Sequence, residues 1–251
     1  LNSGSENVFI GHEAGLTAAK AHGNTFIGYQ AGKVWAGTSG YGNVYLGWKT
    51  CDNKTDGNWN TYLGADQAPS NTGGGTYNET AIGAQTTGIG TNTVALGNTS
   101  VTAIKGQVAT STYSDSRIKR NTQSSSLGLD FINKLTPVVF QKVNPADYPE
   151  EIRPWNYFAR TGSIPDGSGS KEVIIPADPT PPTDNNWYDG LIAQDVSSSL
   201  SNLSAQSDIW DENPDGKQGI KYSILTIPLI KAVQELSAKV TSLEAQISSS
   251  S

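Results

Sequence analysis

A serine and a lysine five residues apart are the residues of this chain best suited to chemistry. They lie in the segment Ser114-Asp115-Ser116-Arg117-Ile118-Lys119-Arg120-Asn121. A serine hydroxyl becomes a nucleophile when a base removes its proton, and a neutral lysine is such a base. Both histidines, His12 and His22, precede this segment, which excludes a Ser-His-Asp triad within the second half of the chain. We therefore predict a Ser114–Lys119 dyad.

The neighbours of the dyad have candidate supporting roles. Burial of Lys119 and the like charges of Arg117 and Arg120 both favour the neutral amine that the chemistry needs. Asp115 is placed to assist through its carboxylate. For Asn121 we prefer capping of the following helix over donation to an oxyanion. The spacing by itself also fits a solvated basic turn. Because a solvated lysine stays charged, we expect the Ser114–Lys119 dyad to react only after an oligomer buries it.

Charge and composition exclude several classes of function. The chain has 17 basic and 23 acidic residues, a net charge of −6, and neither half carries the basic surplus of a nucleic-acid binder. Cys51 is the single cysteine, which excludes an intrachain disulfide and a zinc site built on cysteines. We expect no metal and no cofactor. Because the sequence contains no methionine, we also expect it to be part of a longer polypeptide.

The first hundred residues are a repeat that ends each time in glycine. The units are Asn7-Val8-Phe9-Ile10-Gly11, Asn24-Thr25-Phe26-Ile27-Gly28, Asn43-Val44-Tyr45-Leu46-Gly47, Asn60-Thr61-Tyr62-Leu63-Gly64, Glu79-Thr80-Ala81-Ile82-Gly83 and Thr93-Val94-Ala95-Leu96-Gly97. The closing glycines lie 17, 19, 17, 19 and 14 residues apart. Each unit is a short β-branched and aromatic strand that cannot bury its own apolar face, so the units must stack. Residues 1–97 are predicted to form a β-solenoid or β-roll.

The last unit carries a resemblance. Asn92-Thr93-Val94-Ala95-Leu96-Gly97-Asn98-Thr99-Ser100 resembles the head repeat of trimeric autotransporter adhesins, which implies an intertwined homotrimer around an apolar axis. Aromatic residues in or beside the connecting loops either pack between turns or stack on sugar rings: Tyr29, Trp35, Tyr41, Trp48, Trp59 and Tyr77. Asp52, Asp56 and Asp66 are interpreted as turn residues, not as a glycosidase pair.

Beyond residue 97 the pattern changes. We predict a narrow β stem over 98–113, a domain over 114–251, and within it a proline-rich insert or pair of arms over 144–188. The other predicted elements are a helix over 124–135, a strand over 138–143, a strand over 190–193, a helix over 194–203 and a hairpin joining 208–210 to 219–222.

The chain ends in a helix over 223–247 with a heptad seam. The seam residues step by 4, 3, 4, 3 and 4: Leu229, Val233, Leu236, Val240, Leu243 and Ile247. Such a seam predicts self-association through a coiled coil. β-Branched residues at a with leucine at d favour two strands, whereas the repeats imply three, and we expect the rest of the assembly to impose three.

The second half resembles the endosialidase-type intramolecular chaperone of phage tailspikes and tail fibres, a self-cleaving serine peptidase family that also includes the module of myelin regulatory factor. The resemblance covers about residues 114–247. Its motifs are the dyad segment 114–121, Leu135-Thr136-Pro137-Val138-Val139-Phe140, Gly190-Leu191-Ile192-Ala193-Gln194-Asp195-Val196, Ile220-Lys221-Tyr222 and Ala232-Val233-Gln234-Glu235-Leu236. It implies an α+β chaperone domain that trimerises and is then cut between Ser114 and Asp115. From the chemistry alone, cleavage between Tyr113 and Ser114 by an N-to-O acyl shift is geometrically easier than cleavage between Ser114 and Asp115.

Together these features predict the C-terminal part of a homotrimeric viral tail fibre or tailspike. It is expected on the virion, outside the cell, after assembly in the host cytoplasm. Its partners would be its own copies and a host-cell receptor or glycan bound by the repeats, with no nucleic acid and no membrane insertion. The alternative is a trimeric cell-surface adhesin whose module trimerises without cutting. A membrane protein that releases a trimeric fragment is disfavoured because no transmembrane span follows Ile247.

Overall fold

The structure is a computed structural model that describes residues 4–18, 20–34, 40–54, 56–71, 73, 75–165, 170–180 and 182–250, with only the backbone described at 160, 162–165 and 170. The chain divides into two compact units. One contains residues 1–104, 143–183 and 213–216, and the other contains residues 105–142, 184–212 and 217–251. Thus most of the proline-rich insert belongs to the same unit as the repeats.

The secondary structure follows the change of sequence pattern. The repeats form β1 (Val8–Ile10), β2 (Thr25–Ile27), β3 (Val44–Leu46), β4 (Thr61–Leu63), β5 (Thr80–Ile82) and β6 (Val94–Leu96). The rest contains α1 (Leu129–Lys134), β7 (Val138–Phe140), β8 (Arg160–Pro165), β9 (Ser170–Ile175), β10 (Tyr188–Gly190), α2 (Ala193–Asn202), β11 (Trp210–Glu212), β12 (Gln218–Ile220) and α3 (Thr226–Ser250).

The repeats build a parallel β-solenoid of about five turns, which confirms that part of the predicted fold. Strands β1 to β6 pair in chain order, in parallel and in register. The middle residue of each strand points inward. Phe26 stacks on Phe9 at 5.0 Å and on Tyr45 at 4.6 Å between ring centroids, and Tyr62 meets Tyr45 edge-on at 5.4 Å. Because one turn covers only part of a ring, each turn needs the next to complete its core.

A ladder of buried asparagines explains why asparagine directly precedes strands β2, β3 and β4. The side-chain oxygen of Asn24 accepts the backbone N–H of Asn43 at 2.9 Å, and that of Asn43 accepts the N–H of Asn60 at 2.9 Å. Asn60 continues to the backbone of Glu79 at 3.0 Å. Each amide thus satisfies a backbone donor of the next turn, which a buried donor requires. The ladder ends at Glu79, where the sequence changes from asparagine to glutamate.

The closing glycine of each repeat is required by close approach between turns. At Gly28, φ is +134°, and an added Cβ would lie 2.2 Å from the carbonyl oxygen of Gly47. Only glycine tolerates both conditions. The regular glycine spacing in the sequence therefore reports the stacking of the turns.

The outer face of the solenoid sheet is apolar and exposed. The first and third residues of the strands point away from the core, and Val8, Ile10, Leu46, Val94 and Leu96 are 45 to 61 % exposed. Alternation along a strand places these residues on one face. The single chain therefore leaves a stripe of branched aliphatic side chains without cover.

The second unit has its own small core. Its buried residues come from α1, α2, the β11–β12 region and the turn before α3: Leu127, Phe131, Val196, Leu200, Ile209 and Leu225. β7 pairs antiparallel with β10, and β11 with β12, so the predicted hairpin is confirmed. Helix α1 begins against α3, where Glu235 accepts the backbone N–H of Leu129 at 2.8 Å.

The proline-rich insert has local structure of its own. Three single 3-10 turns, Pro145–Asp147, Glu150–Ile152 and Trp155–Tyr157, lead into a β8–β9 antiparallel hairpin. Beyond the hairpin, the Asp178 carboxylate accepts hydrogen bonds from Asn156 at 3.2 Å and from Gln85 of the repeats at 2.5 Å. The hairpin is consistent with one predicted arm.

Several predicted elements differ from the structure. Residues 98–113 contain no strand and are exposed over 99–113, so a β stem is wrong for the single chain. An isolated strand has no partner for its backbone hydrogen bonds, which explains why none forms. The predicted helix over 124–135 is shorter, and the predicted strand over 138–143 ends at Phe140. The strand predicted over 190–193 is displaced to Tyr188–Gly190.

Candidate active site

The dyad segment has one turn of 3-10 helix between Ser114 and Lys119. Ser116–Ile118 form this turn, and the Asp115 side chain caps it by accepting the N–H of Arg117 at 2.8 Å. The N–H of Lys119 bonds back to the carbonyl of Ser116 at 3.1 Å. This turn shortens the path along the chain, so residues five apart in sequence can meet.

Ser114 and Lys119 do meet. The Nζ of Lys119 donates to the Oγ of Ser114 at 2.6 Å. This distance lies within hydrogen-bond reach for a nucleophile and its base. In this arrangement Nζ is the donor and Oγ is the acceptor. Reaction requires the reverse arrangement, in which a neutral Nζ accepts the Oγ proton.

Arg117 is not a free charge beside the dyad. Its Nη2 lies 2.6 Å from Oδ2 of Asp115, and its Nε is 3.1 Å from both carboxylate oxygens. The Arg117 side chain lowers the pKa of the Asp115 carboxyl, and the carboxylate raises the pKa of the Arg117 guanidinium. The expectation that Arg117 repels a proton from Lys119 is therefore wrong here, because Asp115 compensates its charge. In the same contact, the Asp115 carboxylate, which was predicted to assist the reaction, binds Arg117.

Arg120 and Asn121 follow the dyad in exposed positions. Arg120 makes no ion pair within the described part of the chain. Asn121 adopts a left-handed backbone with φ of +53°. Its predicted capping role is wrong, since α1 begins eight residues later, at Leu129, whose N–H is accepted by the Glu235 side chain instead. Asn121 instead turns the chain after Arg120.

Ser114 and Lys119 are both exposed to solvent in the single chain. Water stabilises an ammonium, and burial favours the neutral amine. The single chain thus provides the contact between base and nucleophile without the desolvation that would activate it. The cleavage site predicted between Ser114 and Asp115 lies in extended, exposed backbone, with Asp115 at φ −64° and ψ 136°.

The predicted heptad residues lie on α3 and face solvent. All six are 46 to 70 % exposed: Leu229, Val233, Leu236, Val240, Leu243 and Ile247. Helix α3 buries a different side, through Pro228 and Ala232, against its own unit. In the single chain the seam therefore does not pack within its own unit, and it is available to another helix.

The repeat aromatics both stack on one another and remain accessible. Tyr29 lies between His12 at 5.5 Å and Trp48 at 6.5 Å, with near-parallel rings, while Tyr41 meets Trp59 edge-on at 5.1 Å. Trp48 is 47 % exposed. Packing between turns is thus confirmed for these rings, and it holds them at the surface. Tyr77 is exposed as well, and Trp35 lies outside the described residues.

In the part of the chain that the structure describes, the remaining candidate side chains form no metal-binding cluster. Asp56 accepts the N–H of Gly57 at 2.7 Å, as a turn residue does. Among the described residues no three histidine, cysteine or acidic side chains converge as metal ligands. Cys51 is buried, and burial raises the pKa of its thiol. In the described ranges no helix is both long and apolar enough to cross a bilayer.

Sequence reasoning missed a second lysine–hydroxyl pair, inside the solenoid. Lys54 is fully buried, and its Nζ donates to Thr76 Oγ1 at 2.6 Å and to the carbonyl of Asn71 at 2.7 Å. Loss of water lowers the pKa of Lys54. Nearby, buried Glu79 accepts the hydroxyl of Tyr62 and the N–H of Gly90 at 2.7 Å. No sequence signal marks these residues, because polar residues are frequent throughout the repeat.

Comparison with known protein families, curated protein sequences and solved structures found no match to this chain.

Proposed function

We propose that this chain is the C-terminal part of a homotrimeric viral tail fibre or tailspike. Its second half would trimerise and register the solenoid, and then cut itself off beside Ser114 as a single-turnover serine endopeptidase. The observation that carries the proposal is the 2.6 Å contact between Lys119 Nζ and Ser114 Oγ. The repeats would then remain as the fibre.

The reaction follows from the dyad. Neutral Lys119 takes the Oγ proton of Ser114, and Oγ attacks a neighbouring carbonyl carbon. By the N-to-O shift, the C–N bond between Tyr113 and Ser114 breaks, the proton passes from Lys119 to the freed Ser114 nitrogen, and an ester remains. Water then hydrolyses the ester. The resemblance to the endosialidase-type chaperones implies instead the bond between Ser114 and Asp115.

Self-association is supported by two uncovered apolar surfaces. One is the α3 seam and the other is the outer face of the solenoid sheet. Large exposed apolar stripes on a soluble chain mark interaction sites. Three parallel copies would cover both with their own equivalents, which is the arrangement that the resemblance to trimeric autotransporter heads implies.

A chaperone role is supported by the insert. Asp178 of the insert holds Gln85 of the solenoid at 2.5 Å, so a part of the second half contacts the repeat that it would help to fold. Stacked turns have similar sequences and many alternative registers, so they fold slowly. Removing the chaperone after folding would leave a fibre that is stable for kinetic reasons.

Receptor binding is assigned to the repeat region. The stacked rings of Tyr29 and Trp48 are held at the surface, and accessible aromatic rings are suited to sugars. We propose in addition that the fibre is part of the virion and faces the host cell. A trimeric adhesin with a non-cleaving module is the second candidate, and the exposure of Lys119 favours it.

The test is intact mass on freshly expressed chain, beside Ser114→Ala and Lys119→Ala. We expect two fragments that sum to the chain plus one water, from the wild type alone. The fragment masses also decide between the two bonds, which differ by one serine residue. A single unbroken mass from all three proteins would remove the peptidase and leave the trimeric adhesin.

A further inference from the structure

Three separate stretches of the second half converge on one open cavity of about 350 Å³. β7 contributes Phe140, the segment entering α2 contributes Leu191, Ile192 and Ala193, and the end of β12 contributes Ile220, followed by Tyr222. Two glutamines complete the lining. Each stretch belongs to a motif that the dyad chemistry does not use.

The cavity is apolar and has a fixed wall. The backbone N–H of Leu191 donates to the Tyr222 hydroxyl at 2.9 Å, which joins two of the contributing stretches. Ile192 is 40 % exposed and Tyr222 51 %. Apolar surface in water is unfavourable, so these side chains favour an apolar occupant.

An apolar side chain without cover lies inside the dyad segment itself. Ile118 is 67 % exposed and directly precedes Lys119. It ends the 3-10 turn that brings Lys119 back to Ser114. A surface that covers Ile118 comes within one residue of Lys119, because Ile118 and Lys119 are adjacent in the chain.

We propose that Ile118 of one copy binds in this cavity of a neighbouring copy, and that this contact removes water from Lys119 and completes the dyad. The inference rests on the self-association and self-cleavage proposed above. Ile118 is then a positioning residue, and the active site is incomplete without the partner's cavity.

The observations favour a second copy over other occupants. Ile118 does not occupy the cavity of its own chain, since it is exposed. The exposed α3 seam provides a reason for copies to meet. An opposite charge also lies beside the cavity lining in sequence, because exposed Asp195 follows the cavity-lining Gln194, whereas Arg120 has no ion-pair partner among the described residues.

The first experiment detects the contact without using cleavage. Two chains of different size, both carrying Ser114→Ala, are coexpressed, one with Ile118→Cys and the other with Ile192→Cys. We expect an intermolecular disulfide under mild oxidation in the mixture. The matched control replaces Ile192→Cys by Ile174→Cys, an exposed position on the β9 strand. If the mixture forms no more cross-link than this control, the inference is overturned.

The second experiment uses cleavage. Ile118→Asp and Ile192→Asp should each slow cleavage at least tenfold, and Ile118→Leu should retain it. Mixing Ile192→Asp chains with Ser114→Ala chains should restore cleavage of the former, because the latter supply an intact cavity. If both aspartate variants cleave at the wild-type rate, the proposed contact is overturned, while the proposed peptidase is retained. An uncleaved wild type would overturn the proposed peptidase, and the cross-link would still decide the contact.

Discussion

Two lysines of this chain hold a hydroxyl at the same distance in opposite environments. Lys54 lies 2.6 Å from Thr76 Oγ1 inside the solenoid, and Lys119 lies 2.6 Å from Ser114 Oγ in solvent. Burial lowers the pKa of Lys54, which eases loss of its proton. Lys54 has the environment of a base inside a packed core, whereas Lys119 lies in the exposed segment that contains the proposed cleavage site.

The contrast shows that Lys119 lacks the burial that Lys54 has. A single chain can bury a lysine where stacked turns surround it, because each turn is covered by the next. The dyad segment has no such neighbours, since residues 98–113 form no strand and the α3 seam is exposed in the single chain. Under the proposed function, other copies of the chain would supply the desolvation of Lys119.

The largest expected effect separates the two lysines by function. Lys119→Arg keeps the charge but provides no base, so cleavage should fall by about 10²- to 10⁴-fold. Lys54→Arg should leave cleavage within a few-fold of wild type because it lies outside the dyad. Intact mass over time measures both. Equal loss in both variants would contradict the separate roles.

Loss of the α3 seam should have the next largest effect. Val233→Glu with Val240→Glu places charges on positions that are 63 % and 53 % exposed, so the single chain loses little packing. We expect dissociation to monomer and cleavage near background, since Lys119 stays solvated. Sedimentation equilibrium and intact mass measure the two results.

Gln234→Glu, on the same helix but off the seam, is the control for added charge. It should remain trimeric and cleave like the wild type. Cleavage of a proven monomer at the wild-type rate would show that the dyad needs no partner.

The buried lysine should matter for stability. Lys54→Ala removes its methylenes and leaves Thr76 and the Asn71 carbonyl without this donor, which should cost about 2–4 kcal/mol in the free energy of unfolding. Urea unfolding followed by circular dichroism measures it, with exposed Lys105→Ala as the control. A change no greater than that of the control would mean that water replaces the lost amine.

The smallest effect is on pH dependence. Because the pKa of Lys54 is lowered in the folded state, the unfolded chain binds more protons between that lowered value and roughly pH 10. Stability should therefore rise with pH in this interval, more steeply than in Lys54→Met. Above it, burial raises the pKa of Tyr45 and Tyr62, so stability should fall. Parallel curves for the two proteins would contradict the assignment to Lys54.

Local patterns predicted the elements that local chemistry controls. The glycine spacing predicted the stacked turns, and the heptad spacing predicted an apolar seam along the last helix, whose self-association stays a prediction. Asn121 shows the limit, since capping depends on where the next helix begins, and α1 begins only after Gly128. Arg117 shows it too, because its pairing with Asp115 depends on the side-chain geometry of the 3-10 turn.

The sequence by itself determined the solenoid, its period and the pairing of a serine with a lysine, because these follow from residue spacing along a regular backbone. Only the tertiary structure decided which polar side chains are buried and which apolar ones lack cover. Lys54 and Lys119 are the same residue type, and distant segments remove water from one and leave the other exposed. Desolvation is a property of packing, so spacing alone does not predict it.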